Sequence, residues 1–157
     1  MSVLTLETDI PDSTLPYPDA FWDRIKYLFW KAIAPIHPLV RDGLLKAGIL
    51  HHEGRHDFKL GKLAEGRTLD DFLHYLHALG FGNHFIAWND TDQIISLRKL
   101  VGFEWQYHLR IFNDGEVRGH YEYTPECHPI LHTMDGCKQE RRDDFMNFVG
   151  DWVTEER

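Results

Sequence analysis

Hydrophobic and polar residues alternate along two neighbouring segments, 103–112 and 117–124, which flank a short polar loop. The loop Asn113-Asp114-Gly115 fits a type I turn closed by a left-handed glycine, and this turn pairs Phe112 with Glu116. A two-residue loop would shift the register by one position and mix apolar with charged side chains on both faces, which a half-buried sheet does not tolerate. The predicted hairpin therefore has an apolar face (Trp105, Tyr107, Leu109, Ile111, Val117, Gly119, Tyr121 and Tyr123) and a polar face (Glu104, Gln106, His108, Arg110, Arg118, His120 and Glu122).

A further strand extends this pattern on the N-terminal side of the hairpin. A reversal over residues 101–103 would pair Leu97 with Tyr107 and keep the apolar face continuous. Because side chains alternate between faces with a period of two, the same register adds Ser96 and Arg98 to the polar face.

Four other segments carry apolar residues at the spacing of an α-helix. Asp19 is a suitable N-cap for the first segment, and Thr68 with Asp71 resembles a capping box at the start of the third. The first helix is apolar on more than one side, so we expect it to be buried in the core. The four predicted helices span residues 20–34, 38–47, 68–80 and 138–153, and the expected buried stripe of the first is Phe21, Ile25, Leu28, Phe29 and Ala32, widened by Trp22 and Trp30.

The order of these elements predicts an α+β fold. The strands follow one another through short connections, so neighbouring strands should pair antiparallel, with the helices packed on one face of the sheet. We expect a mostly antiparallel sheet made of a four-strand meander over residues 84–123. A fifth strand at 57–64 adds to the sheet edge or forms a separate pairing. The chain is expected to form a single domain, 1–157, with an irregular N-terminal arm at 1–18.

The polar face of the predicted sheet brings like groups together. In the hairpin register His108 faces His120, and Arg110 faces Arg118. Directly opposed side chains have Cβ atoms about 5 Å apart, so two opposed guanidinium groups are unfavourable unless something compensates their charge. Neighbouring glutamates such as Glu122 or a bound anion could compensate the arginines, and a metal ion could bridge the histidines.

This polar face is the candidate functional site. Arginine forks match the geometry of carboxylate and phosphate groups, so we expect the face to bind an anionic small molecule. A histidine beside them can act as a general acid or base, or two histidines and a glutamate can hold a divalent metal ion with open positions. The alternative is a solvated surface in a regulatory or protein-interaction module without catalysis. The residues assigned to catalysis are His108, His120 and Glu122, and those assigned to ligand binding are Ser96, Arg98, Gln106, Arg110 and Arg118.

A second alternative function, a zinc-dependent hydrolase, follows from the string His52-Glu53-Gly54-Arg55-His56, which matches the HExxH pattern. On a helix this spacing places both histidines on one face, and the glutamate polarises a metal-bound water. The context is unfavourable here, because Gly48 ends the preceding helix and a strand-like run follows at once. His52 and His56 are therefore weak metal candidates.

A third pattern also concerns zinc. Cys127, His132 and Cys137 have the spacing of the last three ligands of a zinc knuckle, but Thr124 occupies the position of the first cysteine. These three residues are weak candidates for a structural metal site. The other interpretation is a proline-containing loop with two reduced thiols.

Composition narrows the classes of partner. A net charge of -8 and a pI near 5.7 argue against broad contact with a nucleic-acid backbone and against an anionic membrane surface. Two cysteines do not make a disulfide framework, and the N-terminus lacks the features of a signal peptide. No apolar stretch is long enough to span a bilayer. We therefore expect a cytoplasmic protein with no nucleic-acid or membrane partner, and the sequence allows a homo-oligomer without requiring one.

Overall fold

The helices and strands of the protein confirm the α+β class. The structure is a computed structural model, which describes residues 7–49, 58–84, 90, 92–133 and 138–155. In chain order its elements are α1 (Phe21–Ile33), α2 (His37–Lys46), β1 (Lys59–Leu63), α3 (Leu69–Ala78), β2 (Gly82–Asn83), β3 (Gln93–Val101), β4 (Trp105–Phe112), β5 (Glu116–Tyr123), α4 (Pro129–Thr133), α5 (Arg142–Val149) and β6 (Val153–Thr154).

The strands form one antiparallel sheet in the order β2-β3-β4-β5-β1-β6. Strands β3, β4 and β5 are the long strands of the predicted meander, and β1 pairs with β5 and so extends the same sheet. Strand β6 was not predicted. The last predicted helix, 138–153, is shorter in the structure, and its final residues form a turn of 3₁₀-helix followed by β6, which pairs with β1.

The hairpin of β4 and β5 has the register that the alternation of side chains predicts. Gly115 has φ +83°, and its N–H donates to the carbonyl of Phe112 at 3.0 Å, as the predicted turn requires. His108 consequently lies opposite His120. The polar and apolar faces of this hairpin are therefore divided as expected.

The predicted pairing of β3 with β4 is wrong by two residues. Leu97 lies opposite Leu109 rather than Tyr107, because the reversal occupies residues 102–104 instead of 101–103. A shift of two positions restores the same alternation, so no side chain changes face. Arg98 now lies directly opposite His108.

The apolar face of the sheet packs against α3 and α5. Phe72, Leu73 and Leu76 of α3 are fully buried, as is Phe145 of α5. Gly119 permits the approach of α5, because a Cβ atom at this position would lie 2.6 Å from Cδ1 of Phe145. The core therefore lies between these two helices and the sheet.

Helix α1 does not enter this core, contrary to the expectation from its apolar stripe. Phe21 and Trp22 are 68% and 71% exposed, and Trp30 is the one buried residue of the helix. Helices α3 and α5 already occupy the apolar face, and Trp30 instead lies near Arg98 of the polar face. No helix in the described part of the chain is long and apolar enough to cross a membrane.

Candidate functional site

The polar face of the sheet is buried rather than solvated. All eight predicted site residues are described, and each is at most 6% exposed. A buried ionisable group is unfavourable unless it is paired or hydrogen-bonded, so the partners of these side chains determine what the face can do. The eight are Ser96, Arg98, Gln106, His108, Arg110, Arg118, His120 and Glu122.

Several segments in the described part of the chain contact this face. The carbonyl of Ser13, in the N-terminal arm, accepts hydrogen bonds from the guanidinium of Arg98. The loop after β5 contributes Glu126, and the connection from β2 to β3 contributes His84 and Asp90. The predicted surface is thus an interior layer, which excludes the solvated interpretation of these side chains.

Two histidines and a glutamate meet at the centre of the layer. Nδ1 of His108 lies 3.2 Å from Nε2 of His120 and 3.1 Å from Oε1 of Glu122. Nε2 of His120 lies 3.2 Å from Oε2 of Glu122. Each of these two ring nitrogens therefore lies within hydrogen-bonding distance of the other and of one oxygen of the Glu122 carboxylate, and one ligand atom from each residue lies within 4.8 Å of the others.

These distances suit a divalent transition-metal ion. An ion bound about 2.1 Å from nitrogen and oxygen ligands separates neighbouring ligands by about 3.0 Å in octahedral geometry and about 3.4 Å in tetrahedral geometry. The observed separations of 3.1 to 3.2 Å fall between these values. Two histidines and one carboxylate also form a recognised metal-binding set that leaves coordination positions open.

Two neighbouring side chains support this interpretation. Oγ of Ser96 is 2.6 Å from Nε2 of His108, and a metal-binding histidine commonly holds such a partner on its second ring nitrogen. The ring of His84 lies edge-on to that of His108, with centroids 5.2 Å apart. His84 is 4% exposed, and neither of its ring nitrogens has a hydrogen-bond partner among the described residues. It is a third imidazole beside the group, and its ring nitrogens do not lie within 4.8 Å of all three ligand atoms.

Burial controls the protonation states of this group. Burial lowers the pKa of His108 to about 4, although the adjacent Glu122 carboxylate opposes the shift. Burial likewise holds the pKa values of His84 and His120 well below the usual range. Burial alone would raise the pKa of Glu122, but His132, His120 and His108 around it hold that pKa well below its usual range. Neutral imidazoles and an ionised carboxylate are the forms that bind a metal ion.

The two opposed arginines share a carboxylate that sequence analysis did not find. Oδ2 of Asp90 lies 2.8 Å from Nη1 of Arg110 and 3.0 Å from Nη1 of Arg118. Asp90 therefore compensates the like charges that β4 and β5 bring together. It lies in the connection before β3, where no periodic pattern relates it to either arginine.

Arg98 is also paired with a carboxylate. Its Nη1 and Nη2 donate to the two oxygens of Glu126 at 3.1 and 3.0 Å, which is the bidentate geometry of a strong ion pair. Nη1 also donates to Gln106, whose amide nitrogen donates to Glu122 at 2.9 Å. A hydrogen-bonded chain thus connects Arg98 to the histidine and glutamate group.

The weaker metal candidates do not form a common site in the described part of the chain. His52, His56 and Cys137 lie outside the described residues. Cys127 is buried, with Sγ 3.7 Å from a lysine ammonium of α1. His132 instead turns Nδ1 to a backbone carbonyl at 3.0 Å, with the central glutamate at 3.5 Å.

Sequence reasoning found eight residues of the layer but missed four that complete it. His84 was placed at the start of a strand, with no signal that it approaches His108, and the two acidic partners of the arginines lie in loops. The missed residues are Ser13, His84, Asp90 and Glu126.

No protein-family model, curated protein or solved structure matches this chain.

Proposed function

We propose that this protein binds a divalent transition-metal ion through His108, His120 and Glu122. The observation that carries the proposal is the set of three separations of 3.1 to 3.2 Å that join one nitrogen of each histidine to the other and to the two oxygens of the Glu122 carboxylate, in a buried position. Nitrogen and carboxylate donors together favour zinc, iron, cobalt or manganese over calcium and magnesium, which prefer all-oxygen sites.

An anionic small molecule is the expected ligand of the metal-loaded site. Arg110 and Arg118 both pair with Asp90 and lie on the same face of the sheet as Glu122. A divalent ion on Glu122 would add positive charge beside them, so a phosphate or carboxylate group would be attracted to the open coordination positions. The bound ion would polarise such a ligand or a water molecule as a Lewis acid. The predicted anion binding therefore depends on the metal ion, because carboxylates of the protein already pair with the arginines.

The test is metal binding by purified protein that has been stripped with a chelator. Titration with Zn²⁺ or Co²⁺ in a calorimeter should show one tight site per chain, and Co²⁺ should develop the visible spectrum of a nitrogen-ligated ion. Glu122→Gln preserves the shape of the side chain but removes the anionic ligand, so we expect at least about a 100-fold loss of affinity. Ser96→Ala removes only the partner of His108 and should cost about 10- to 100-fold.

A matched control is available on the surface. His74 lies exposed on α3, so His74→Gln should bind metal as the unaltered protein does. Circular dichroism spectra check that each variant is folded, and the Co²⁺ spectrum of the unaltered protein remains informative if Glu122→Gln does not fold. The proposal is wrong if the unaltered protein binds neither Zn²⁺ nor Co²⁺ with a Kd below about 100 μM. It is also wrong if folded Glu122→Gln binds these ions as tightly as the unaltered protein does.

A second candidate function uses two of these side chains, His108 and Glu122, together with Ser96. Oγ of Ser96 is 2.6 Å from Nε2 of His108, and Nδ1 of His108 is 3.1 Å from Glu122. This is the order of contacts in a serine, histidine and carboxylate triad, in which the histidine accepts the serine proton. Nδ1 of His108 cannot serve a metal ion and this relay at once, so the two functions exclude each other in one molecule.

A fluorophosphonate probe distinguishes the two candidates. If Ser96 is a nucleophile, its Oγ attacks phosphorus, fluoride leaves, and mass spectrometry finds the adduct on Ser96 in the metal-free protein. Bound Zn²⁺ should then suppress labelling. The absence of an adduct on Ser96 in folded, metal-free protein would exclude the nucleophilic role.

A further inference from the structure

A second site is present where α1 passes over the edge of the polar layer. A cavity of about 530 Å³ lies between the N-terminal arm and α1, within the size range of pockets for small organic molecules. Its walls include the apolar and aromatic side chains of Leu15, Tyr27, Trp30 and Ala34. Trp30 is only 2% exposed, so the aromatic wall is held in place by the surrounding structure.

The polar floor of the cavity is already satisfied. Arg98 donates five hydrogen bonds, two to Glu126, two to the carbonyl of Ser13 and one to Gln106. This neutral, fully bonded pair does not attract a charged group strongly. The body of a ligand that rests on it must therefore be largely apolar.

One cationic group lines the cavity without an opposite charge. Nζ of Lys31 lies over the ring of Tyr27, 5.3 Å from its centre, and forms no ion pair with any described residue. Lys31 is exposed, so it can meet the charged end of a ligand while the remainder contacts the apolar walls. The cavity therefore combines an apolar, aromatic interior with a single positive charge at its rim.

We propose that this cavity binds a ring-containing organic acid, with the ring against Tyr27 and the acidic group at Lys31. This inference goes beyond the proposed metal site and does not depend on it. Aromatic rings favour stacked or edge-on packing with Tyr and Trp side chains, and the carboxylate forms an ion pair with the ammonium group.

The test uses 2-naphthoic acid and the neutral 2-naphthalenemethanol as probes, in calorimetric titrations of the protein with and without a chelator. We expect the acid to bind about two- to fivefold more tightly than the alcohol, which is the size of effect typical of an exposed ion pair. Lys31→Met should remove this preference while leaving the alcohol bound. Ala34→Leu places a larger side chain in the cavity and should weaken both probes at least tenfold.

The control variant is Ala32→Leu, which adds the same side chain at an exposed position in the last turn of α1, two residues before Ala34 and outside the cavity. It should bind both probes as the unaltered protein does. The inference is overturned if neither probe binds with a Kd below about 1 mM, or if folded Ala34→Leu binds both probes as tightly as the unaltered protein does. It is also overturned if Lys31→Met keeps the preference for the acid. We expect both probes to bind equally well with and without the chelator. The absence of a metal ion from the proposed metal site would therefore not change the result for this cavity.

Discussion

Replacement of Asp90 by asparagine tests whether one carboxylate holds the polar layer together. The side chain keeps its shape but loses the charge that pairs with Arg110 and Arg118, both of which are at most 6% exposed. Removing one partner of a buried ion pair costs about 3–5 kcal/mol, because the other charge is left uncompensated. Since the two guanidinium groups lie directly opposite each other, we expect Asp90→Asn to fall in the upper half of this range.

Urea unfolding followed by tryptophan fluorescence and circular dichroism measures the effect. A loss of this size is a large part of the 5–15 kcal/mol that stabilises a typical domain. The matched control is Asp42→Asn, because Asp42 pairs with Lys46 on the surface at 2.6 Å and should contribute no more than about 0.5 kcal/mol.

A second substitution separates charge repulsion from a general packing defect. Adding Arg110→Met to Asp90→Asn removes one of the opposed charges and should restore at least about 1 kcal/mol. The reasoning is refuted if Asp90→Asn costs less than about 1 kcal/mol, or if the double variant is less stable than the single one.

Two further predictions concern packing and pH. Gly119→Ala should lower the free energy of unfolding by about 1–3 kcal/mol, because its Cβ would lie 2.6 Å from a buried aromatic carbon. In Gly43→Ala, in α2, the added Cβ meets nothing within 4 Å, so this variant should raise the free energy of unfolding by up to about 1 kcal/mol. Equal unfolding free energies for the two variants would contradict the packing argument. Burial lowers the pKa of His37 from 6.5 to about 4, with His132 and Arg41 adding repulsion. As the pH falls, His37 is therefore protonated in the unfolded chain before it is protonated in the folded one. The contribution of neutral His37 to stability is complete above pH 6.5 and is lost as the pH falls towards 4. Between pH 6.5 and 4, the unfolding free energy of His37→Gln should fall less steeply with pH than that of the unaltered protein. Identical slopes for the two proteins would contradict this role of His37.

Local patterns were sufficient for the hairpin and the capping of α3. Residues 113–115 form the predicted turn, and the side chain of Thr68 accepts a hydrogen bond from the N–H of Asp71, as a capping residue should. The pairing of β3 with β4 was less well determined, since a shift of two residues leaves the alternation unchanged. The apolar stripe of α1 was misleading, because an amphipathic pattern shows that one face is apolar but not what packs against it.

The amino-acid sequence by itself determined which side chains share a face of the sheet, because alternation with a period of two is a property of each strand and its turn. It thereby brought His108, His120 and Glu122 together. Only the tertiary structure decided that this face is interior. The groups that neutralise and enclose it, Asp90 and Glu126, come from loops whose positions depend on long-range packing rather than on any local repeat.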